Sequence, residues 1–171
     1  MKPLLVVIDV QNGFLGSRSQ HVVDPIVRLL SGWHGSTAFT QFVSLPGGQY
    51  ERLIGWKRLQ APPEIDLHAQ IAPYARRVFT KNYYSAFTEE FSQFVASGGF
   101  DTLFLCGVAT DSCVLKTAVD AFERGYRPYV LADACASHGG EVAHNAAIFL
   151  LQRFIGKAQV GSIAEAQLID A

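Results

Sequence analysis

The sequence is poor in charged residues, and this excludes some classes of protein. Only 17% of its 171 residues are charged, and 14 Lys and Arg against 15 Asp and Glu leave a net charge of −1. This balance, without a long basic run, provides no electrostatic surface for nucleic acid or an anionic membrane. We therefore predict a small molecule as the partner, with no nucleic acid and no membrane.

Cysteine is also scarce, and long hydrophobic runs are missing. Cys106, Cys113 and Cys135 lack the spacing of a zinc site, and an odd number fits a reducing compartment better than a disulfide framework. The first apolar run, residues 4–8, stops at Asp9 and is too short for a signal-peptide core or a membrane span. We predict a cytoplasmic protein.

The hydrophobic residues that are present predict an α/β fold. They make up 49% of the chain, enough for one domain over residues 1–171. Apolar runs alternate with amphipathic segments, which is typical of a parallel sheet covered by helices on both faces. We predict a three-layer α/β/α sandwich with a mainly parallel, six-stranded, Rossmann-like sheet. Its strands are residues 4–8, 37–45, 77–80, 102–106, 128–131 and 158–160.

Capping signals place four helices between these strands. Asp24-Pro25 is typical of a cap followed by proline at the first helical position, and the helix extends to residue 30 or 33. The other helices begin at Thr88, at about Ser112 and at Glu141, and glycines close them. Residues 46–73 are broken by prolines and glycines and read as a long excursion with at most one short helix.

Cys113 is the candidate nucleophile. A glycine-led turn after the strand at 102–106 leads into a helix that Asp111 or Ser112 can cap, which places Cys113 in the first turn. The partial positive charge at a helix N-terminus favours the thiolate. Cys106, inside an apolar strand, is predicted to belong to the core, and Cys135 is given a structural role.

Two other strands end in groups that complement a thiol. Asp9 ends the first strand and Lys81 ends the third, and ligands bind beyond the carboxyl ends of strands in such sheets. A lysine can stabilise a thiolate and orient a carboxylate, which can accept the thiol proton and later activate water. The combination of Asp9, Lys81 and Cys113 therefore predicts acyl transfer through a thioester.

Three motifs, at residues 7–14, 81–87 and 107–114, carry a resemblance that extends over nearly the whole chain. The chain resembles the isochorismatase-like, or cysteine hydrolase, superfamily, which includes nicotinamidases and N-carbamoylsarcosine amidases. The resemblance implies a catalytic triad of Asp9, Lys81 and Cys113. It also implies a cis peptide bond between Val108 and Ala109, which would direct the Ala109 N–H, with that of Cys113, at a developing oxyanion.

Departures from the family pattern narrow the expected chemistry. Nicotinamidases hold a metal through an Asp-x-His element after the second strand, where this chain has Thr40-Gln41-Phe42-Val43-Ser44. We therefore predict no metal and no cofactor, and a protein nearer the metal-free cysteine amidases than nicotinamidase. Isochorismatases proper lack the cysteine. The expected reaction is hydrolysis of a C–N bond in an amide or carbamoyl group.

Aromatic residues near the motifs are candidates for a substrate pocket. Phe14 and Tyr84 are the stronger candidates, and Trp56 belongs to the excursion, which could cover the site. Gln11 is predicted to bind substrate or, with Ser85, to fix neighbouring loops by hydrogen bonds.

The sequence leaves alternative functions open, and it also predicts a homo-oligomer. The alternatives are isochorismatase-like ether hydrolysis, a non-catalytic binding or assembly protein on the same fold, and a redox role for Cys113. A mean hydropathy of +0.17 predicts a homodimer or homotetramer. Candidate interface residues are Val119, Phe122, Ile148, Phe149 and Leu150.

Overall fold

A computed structural model describes residues 1–167, which form one six-stranded sheet and its helices. The strand order is β3-β2-β1-β4-β5-β6, and every neighbouring pair is parallel. The predicted α/β fold with a parallel sheet is therefore confirmed. The strands are β1 (Pro3–Ile8), β2 (Ser36–Phe42), β3 (Val78–Lys81), β4 (Thr102–Val108), β5 (Arg127–Ala136) and β6 (Val160–Gly161).

The strand order locates the expected ligand site. It reverses direction at β1, which pairs with β2 on one side and with β4 on the other. A crevice opens at such a switch point, beyond the carboxyl ends of the strands. Strands β1 and β4 are also the most deeply buried, which explains why both appear in the sequence as continuous apolar runs.

Six helices connect or follow the strands within residues 1–167. They are α1 (Val23–Gly32), α2 (Gln49–Ile54), α3 (Glu89–Gly98), α4 (Leu115–Glu123), α5 (Glu141–Phe154) and α6 (Ile163–Gln167). The predicted start of α3 is confirmed, since the Thr88 hydroxyl accepts a hydrogen bond from the Phe91 N–H at 3.3 Å. No helix among the described residues has the length and apolarity needed to cross a bilayer.

Three predictions of local structure need correction. Asp24 is not a cap, because a 3-10 turn (Gln20–Val22) runs directly into α1 and makes Val23 its first residue. Strand β5 extends well beyond residue 131 and includes Cys135, because it remains paired with β4 across a register shift. Strand β2 ends at Phe42, where the chain leaves the sheet towards the site.

The predicted interface residues differ in exposure. Val119 and Ile148 are half-buried, and Ile148 packs against the core. Phe122, Phe149 and Leu150 are 52%, 58% and 39% exposed. The homo-oligomer stays a prediction, and these three exposed side chains are the part of the predicted interface that a partner could reach.

Candidate active site

Asp9, Lys81 and Cys113 meet at the carboxyl edge of the sheet and are called here the polar cluster. The Lys81 Nζ lies 2.7 Å from the Asp9 Oδ2 and 3.4 Å from the Cys113 Sγ. The side chains of Asp9 and Lys81 are fully buried, and Cys113 is 4% exposed. Three strand ends thus bring a carboxylate, a cation and a thiol into contact, as the strand-end argument predicts. Their catalytic roles stay predictions at this point.

Asp9 has an unusual backbone conformation, and Thr40 on the adjacent strand β2 holds it by hydrogen bonds. Its φ is 51°, in the left-handed region, which a short polar side chain tolerates better than a branched one. The Asp9 N–H donates to the Thr40 Oγ1 at 3.2 Å, and that hydroxyl donates to the Asp9 Oδ1 at 2.6 Å. Thr40 therefore fixes one carboxylate oxygen and leaves the other to face Lys81.

Lys81 is held by the loop that follows it. Its ammonium donates to the carbonyl oxygens of Tyr83 at 2.9 Å and Tyr84 at 3.1 Å, in addition to its contacts with Asp9 and Cys113. Burial by itself lowers the pKa of Lys81, but the charges of Asp9 and Cys113 outweigh it and keep the pKa above its usual value. Lys81 is therefore a cation at neutral pH.

The turn that carries Cys113 differs from the predicted capped helix. Residues Thr110–Val114 form a wide π-helical turn, closed by the Val114 N–H donating to the Ala109 carbonyl at 3.1 Å, and α4 begins only at Leu115. Neither Asp111 nor Ser112 caps it; the cap position is Ala109 and has no side-chain hydrogen bond. The peptide bond between Val108 and Ala109 is cis, as the resemblance implies.

Glycine is needed just before this turn. Gly107 has a φ of +118°, and a Cβ there would collide with the backbone of Ile8. The absence of a side chain lets the end of β4 approach the end of β1, where residues 8 and 107 are paired. This close approach brings the Cys113 turn next to Asp9.

The Cys113 thiol is neutral at rest, contrary to the expectation of a depressed pKa. Burial is the largest effect and, together with the Asp9 charge, raises the pKa of the thiol to about 12, while Lys81 lowers it by less. Lys81 touches both groups, so the thiol and the Asp9 carboxylate lie on the same ammonium. A raised pKa favours the protonated thiol over the standing thiolate that the helix N-terminus argument predicts.

A cavity of about 180 Å³ opens above Cys113 and is mainly aromatic. Phe14 stacks on Trp56 on one side, with ring centroids 6.2 Å apart, and on His138 on the other, at 5.1 Å. We call these three residues the aromatic wall. The lining residues are Phe14, Phe42, Tyr50, Ile54, Trp56, Tyr84, Ala109, Ser112, Cys113 and His138.

The lining includes four residues that sequence reasoning proposed for the pocket or the oxyanion site: Phe14, Trp56, Tyr84 and Ala109. Residues 46–73, called here the cover segment, supply Tyr50, Ile54 and Trp56, so the excursion does cover the site. Sequence reasoning missed Phe42, Tyr50, Ile54 and His138. The density of aromatic residues around the motifs was the one available signal for them.

Gln11 and Val108 do not reach the cavity. Gln11 is fully buried; its side-chain amide donates to the carbonyls of Phe42 at 2.9 Å and Ile65 at 2.8 Å, and its Oε1 accepts from the Phe42 N–H at 2.8 Å. These bonds are of the kind expected for the loop-fixing alternative, and the substrate-binding role of Gln11 stays a prediction. Val108 is the buried last residue of β4 and contributes to the site only through its peptide bond with Ala109.

An Asp-x-His spacing occurs in the cover segment, at Asp66-Leu67-His68, so the expectation that the chain contains no such element is wrong. Its Leu67 forms an isolated bridge with Gln11, and the His68 Nδ1 accepts from the Gln70 N–H at 3.4 Å. Within the described part of the chain, no three His, Cys, Asp or Glu side chains group closely enough to hold a metal ion. The predicted absence of a metal stays a prediction.

Comparison with known proteins assigns the family. The Isochorismatase domain model matches residues 3–164, and the chain belongs to the isochorismatase family. It is 28% identical over 170 residues to a nicotinamidase from Acinetobacter baylyi, covering 77% of this chain and 79% of that protein. It is 30% identical over 128 residues to the ureidoacrylate amidohydrolase RutB of Azorhizobium caulinodans, covering 72% of this chain and 53% of that protein, or about half its length.

A solved structure extends this similarity over the full fold. The N-carbamoylsarcosine amidase from Thermoplasma acidophilum superposes with a TM-score of 0.82 and 26% sequence identity, covering 95% of this chain and 96% of that chain. The chain is thus similar both to a nicotinamidase and to an N-carbamoylsarcosine amidase. The predicted preference between these two kinds of relative stays a prediction.

Proposed function

We propose that the protein is a cysteine-dependent hydrolase that cleaves a C–N bond, in an amide or carbamoyl group of a small molecule, through a thioester. The contact of Lys81 with both the Asp9 carboxylate and the Cys113 sulfur is the observation that carries this proposal. The names of the amidohydrolase relatives support it. A cavity directly above the sulfur supplies the space for a substrate.

The first half-reaction uses Asp9 as the base. The Cys113 sulfur attacks the substrate carbonyl carbon while its proton passes to the Asp9 carboxylate, which contacts the same Lys81 ammonium as the sulfur. The carbonyl oxygen becomes an oxyanion, which accepts hydrogen bonds from the backbone N–H groups of Ala109 and Cys113. The oxyanion then collapses, the C–N bond breaks, and Asp9 returns the proton to the leaving nitrogen.

In the second half-reaction, water replaces the thiol as the nucleophile. Asp9 accepts a proton from water, which attacks the thioester carbonyl carbon, and the C–S bond breaks to release the acid. The proton returns to sulfur. Lys81 remains charged throughout and stabilises both the carboxylate of Asp9 and the departing thiolate.

A panel of primary amides, ureido acids and N-carbamoyl compounds, assayed for ammonia release, tests the proposal. At least one compound should release ammonia, and Cys113→Ser should abolish the release, whereas Cys106→Ser should retain it because Cys106 lies inside β4 and contacts the Val6 carbonyl. Mass spectrometry of the quenched protein should show an acyl group on Cys113. Ammonia release by Cys113→Ser would exclude the thioester route.

The alternatives give different outcomes in the same experiment. Ether hydrolysis releases an alcohol or enol instead of ammonia and leaves no acyl group on Cys113. A non-catalytic binding protein would bind a member of the panel and release nothing.

A further inference from the structure

The aromatic wall contains a hydrogen-bonding group that the proposed reaction does not use. The ring of His138 lines the cavity, stacks on Phe14, and places its Nε2 2.9 Å from the Phe14 carbonyl oxygen. A carbonyl oxygen only accepts, so Nε2 carries the ring proton and donates it. The Nδ1 atom makes no hydrogen bond within residues 1–167.

The charge state of this ring follows from its surroundings. Partial burial lowers the pKa of His138 below its usual value, and the hydrogen bond to Phe14 does not restore it. The imidazole is therefore neutral at pH 7.5. With the proton held on Nε2, Nδ1 presents a lone pair and acts as an acceptor.

The rest of the lining carries no formal charge. None of the ten lining residues is Asp, Glu, Lys or Arg. Of the cations near the cavity, Lys81 pairs with Asp9 beneath Cys113, Arg58 pairs with Glu64 at 2.9 Å, and Arg18 donates to the His138 main-chain carbonyl at 3.5 Å. Asp111 adds a negative charge near the His138 ring. Burial raises the pKa of Tyr50 well above its usual value, which keeps its hydroxyl neutral. A carboxylate in this cavity would be desolvated without a cationic partner.

The size of the cavity limits the substrate further. A cavity of about 150 Å³ accommodates benzene, so about 180 Å³ above Cys113 accommodates a flat ring with one or two small substituents. The stacked rings of the aromatic wall favour a planar ligand.

We propose that His138 is a specificity-determining residue: its Nδ1 accepts a hydrogen bond from an N–H group on an uncharged, flat amide substrate, away from the bond that is cleaved. This proposal rests on the proposed function. It assigns the substrate to uncharged amides with a second hydrogen-bond donor and excludes those with a carboxylate.

Binding to the Cys113→Ala protein tests this without any turnover. Calorimetry at pH 7.5 compares benzamide, its 2-amino, 3-amino and 4-amino derivatives, and 3-carbamoylbenzoate. At least one amino isomer should bind about threefold to tenfold more tightly than benzamide, which is the range for one neutral hydrogen bond. The carboxylate should bind at least about a hundredfold more weakly.

Substitutions in the same background assign the preference to His138. His138→Phe retains a flat ring and should reduce the ratio of amino-isomer affinity to benzamide affinity to about one, whatever its effect on benzamide binding itself. His138→Gln should keep it, because the amide can donate to the Phe14 carbonyl and still accept. His34→Gln is the matched control, since His34 lies in a different cavity, beside Pro3 at the start of β1.

The outcomes separate this inference from the proposed function. It is overturned if benzamide does not bind, if no amino isomer binds more tightly than benzamide, if the carboxylate binds equally well, or if the preference survives in folded His138→Phe. Should that variant not fold, the isomer series on the parent protein decides. The expected binding pattern without amide hydrolysis by the wild-type protein would contradict the proposed function alone.

Discussion

The polar cluster and the aromatic wall meet at one cavity, which Cys113 and the three wall residues line, and they are built in different ways. The polar cluster comes from strand ends, is almost fully buried, and is fixed by charge: Lys81 Nζ and Asp9 Oδ2 are 2.7 Å apart. The wall comes from loops, is partly exposed and is neutral. The comparison indicates that bond cleavage depends on the sheet, whereas selection of the substrate depends on the loops. Changes in the first should therefore abolish activity, and changes in the second should redirect it.

The largest expected effect comes from Asp9. Asp9→Asn removes the proton acceptor, so kcat with a compound identified in the panel should fall by about 10²–10⁴-fold. Asp66→Asn, an exposed aspartate of the cover segment, is the control and should keep its activity. Steady-state ammonia release measures both variants. A tenfold or smaller loss in Asp9→Asn would remove Asp9 from the role of base.

Lys81 should matter for stability as well as for activity. Lys81→Met leaves the Asp9 carboxylate buried without its partner, which should cost about 3–5 kcal/mol of unfolding free energy. Lys116→Met breaks the ion pair with Asp120 on α4, where the lysine side chain is half-exposed, and should cost less than about 1 kcal/mol. Urea unfolding followed by circular dichroism compares the two. Equal losses of unfolding free energy in the two variants would mean that burial does not make the ion pair of the polar cluster more important for stability than an exposed one.

The reactivity of Cys113 towards iodoacetamide should follow its raised pKa. A pKa near 12 means that the thiolate fraction rises about tenfold for each pH unit from 7 to 9.5, without a plateau. Removing the Asp9 charge lowers that pKa, so Asp9→Asn should be labelled faster at pH 8 although it hydrolyses more slowly. Peptide mapping assigns the label among the three cysteines. A plateau below pH 8 would instead support the thiolate that the helix N-terminus argument predicts.

The aromatic wall should influence binding more than the chemical step. Trp56→Ala removes the ring that stacks on Phe14 and should raise KM by about threefold to tenfold, with little change in kcat. Leu53→Ala, on α2 of the same cover segment but 74% exposed and outside the cavity, should change neither. Steady-state kinetics with one substrate measures both. A fall in kcat alone would place Trp56 in the chemical step.

The smallest expected effect is that of metal removal. Exhaustive chelation should leave ammonia release unchanged, because the polar cluster supplies the base and the cation by itself. Elemental analysis of the purified protein should find no stoichiometric zinc, iron or manganese. Activity lost on chelation and restored by one of these metals would assign a ligand role to residues such as Asp66 and His68.

The sequence predicts the polar cluster better than the aromatic wall, for a physical reason. Asp9 and Lys81 are the first polar groups after buried strands, so a local apolar run marks each, and parallel strands bring such ends to one edge of a sheet. His138 follows β5, whose end could not be placed because the strand continues past its apolar run into Asp133. The cover segment folds back through contacts between distant residues, which no local pattern records.

The misjudged features of the Cys113 turn have a similar origin. Asp111 and Ser112 are good capping residues, and local propensity predicts an α-helix that begins there. The turn is instead set by close packing of β4 on β1 at Gly107, which is a tertiary contact. The same packing buries Cys113, and burial rather than the helix end then determines the pKa of its thiol.

Gln11 connects the sheet to the cover segment through hydrogen bonds that do not involve the side chains of the cover segment. Its amide bonds only to main-chain atoms, those of Phe42 and Ile65, and its backbone pairs with that of Leu67. Every amino acid offers the same carbonyl, and all but proline offer the same N–H. Residues of the cover can therefore be exchanged during evolution while the segment keeps its position, so that new substrate preferences can arise without rebuilding the scaffold.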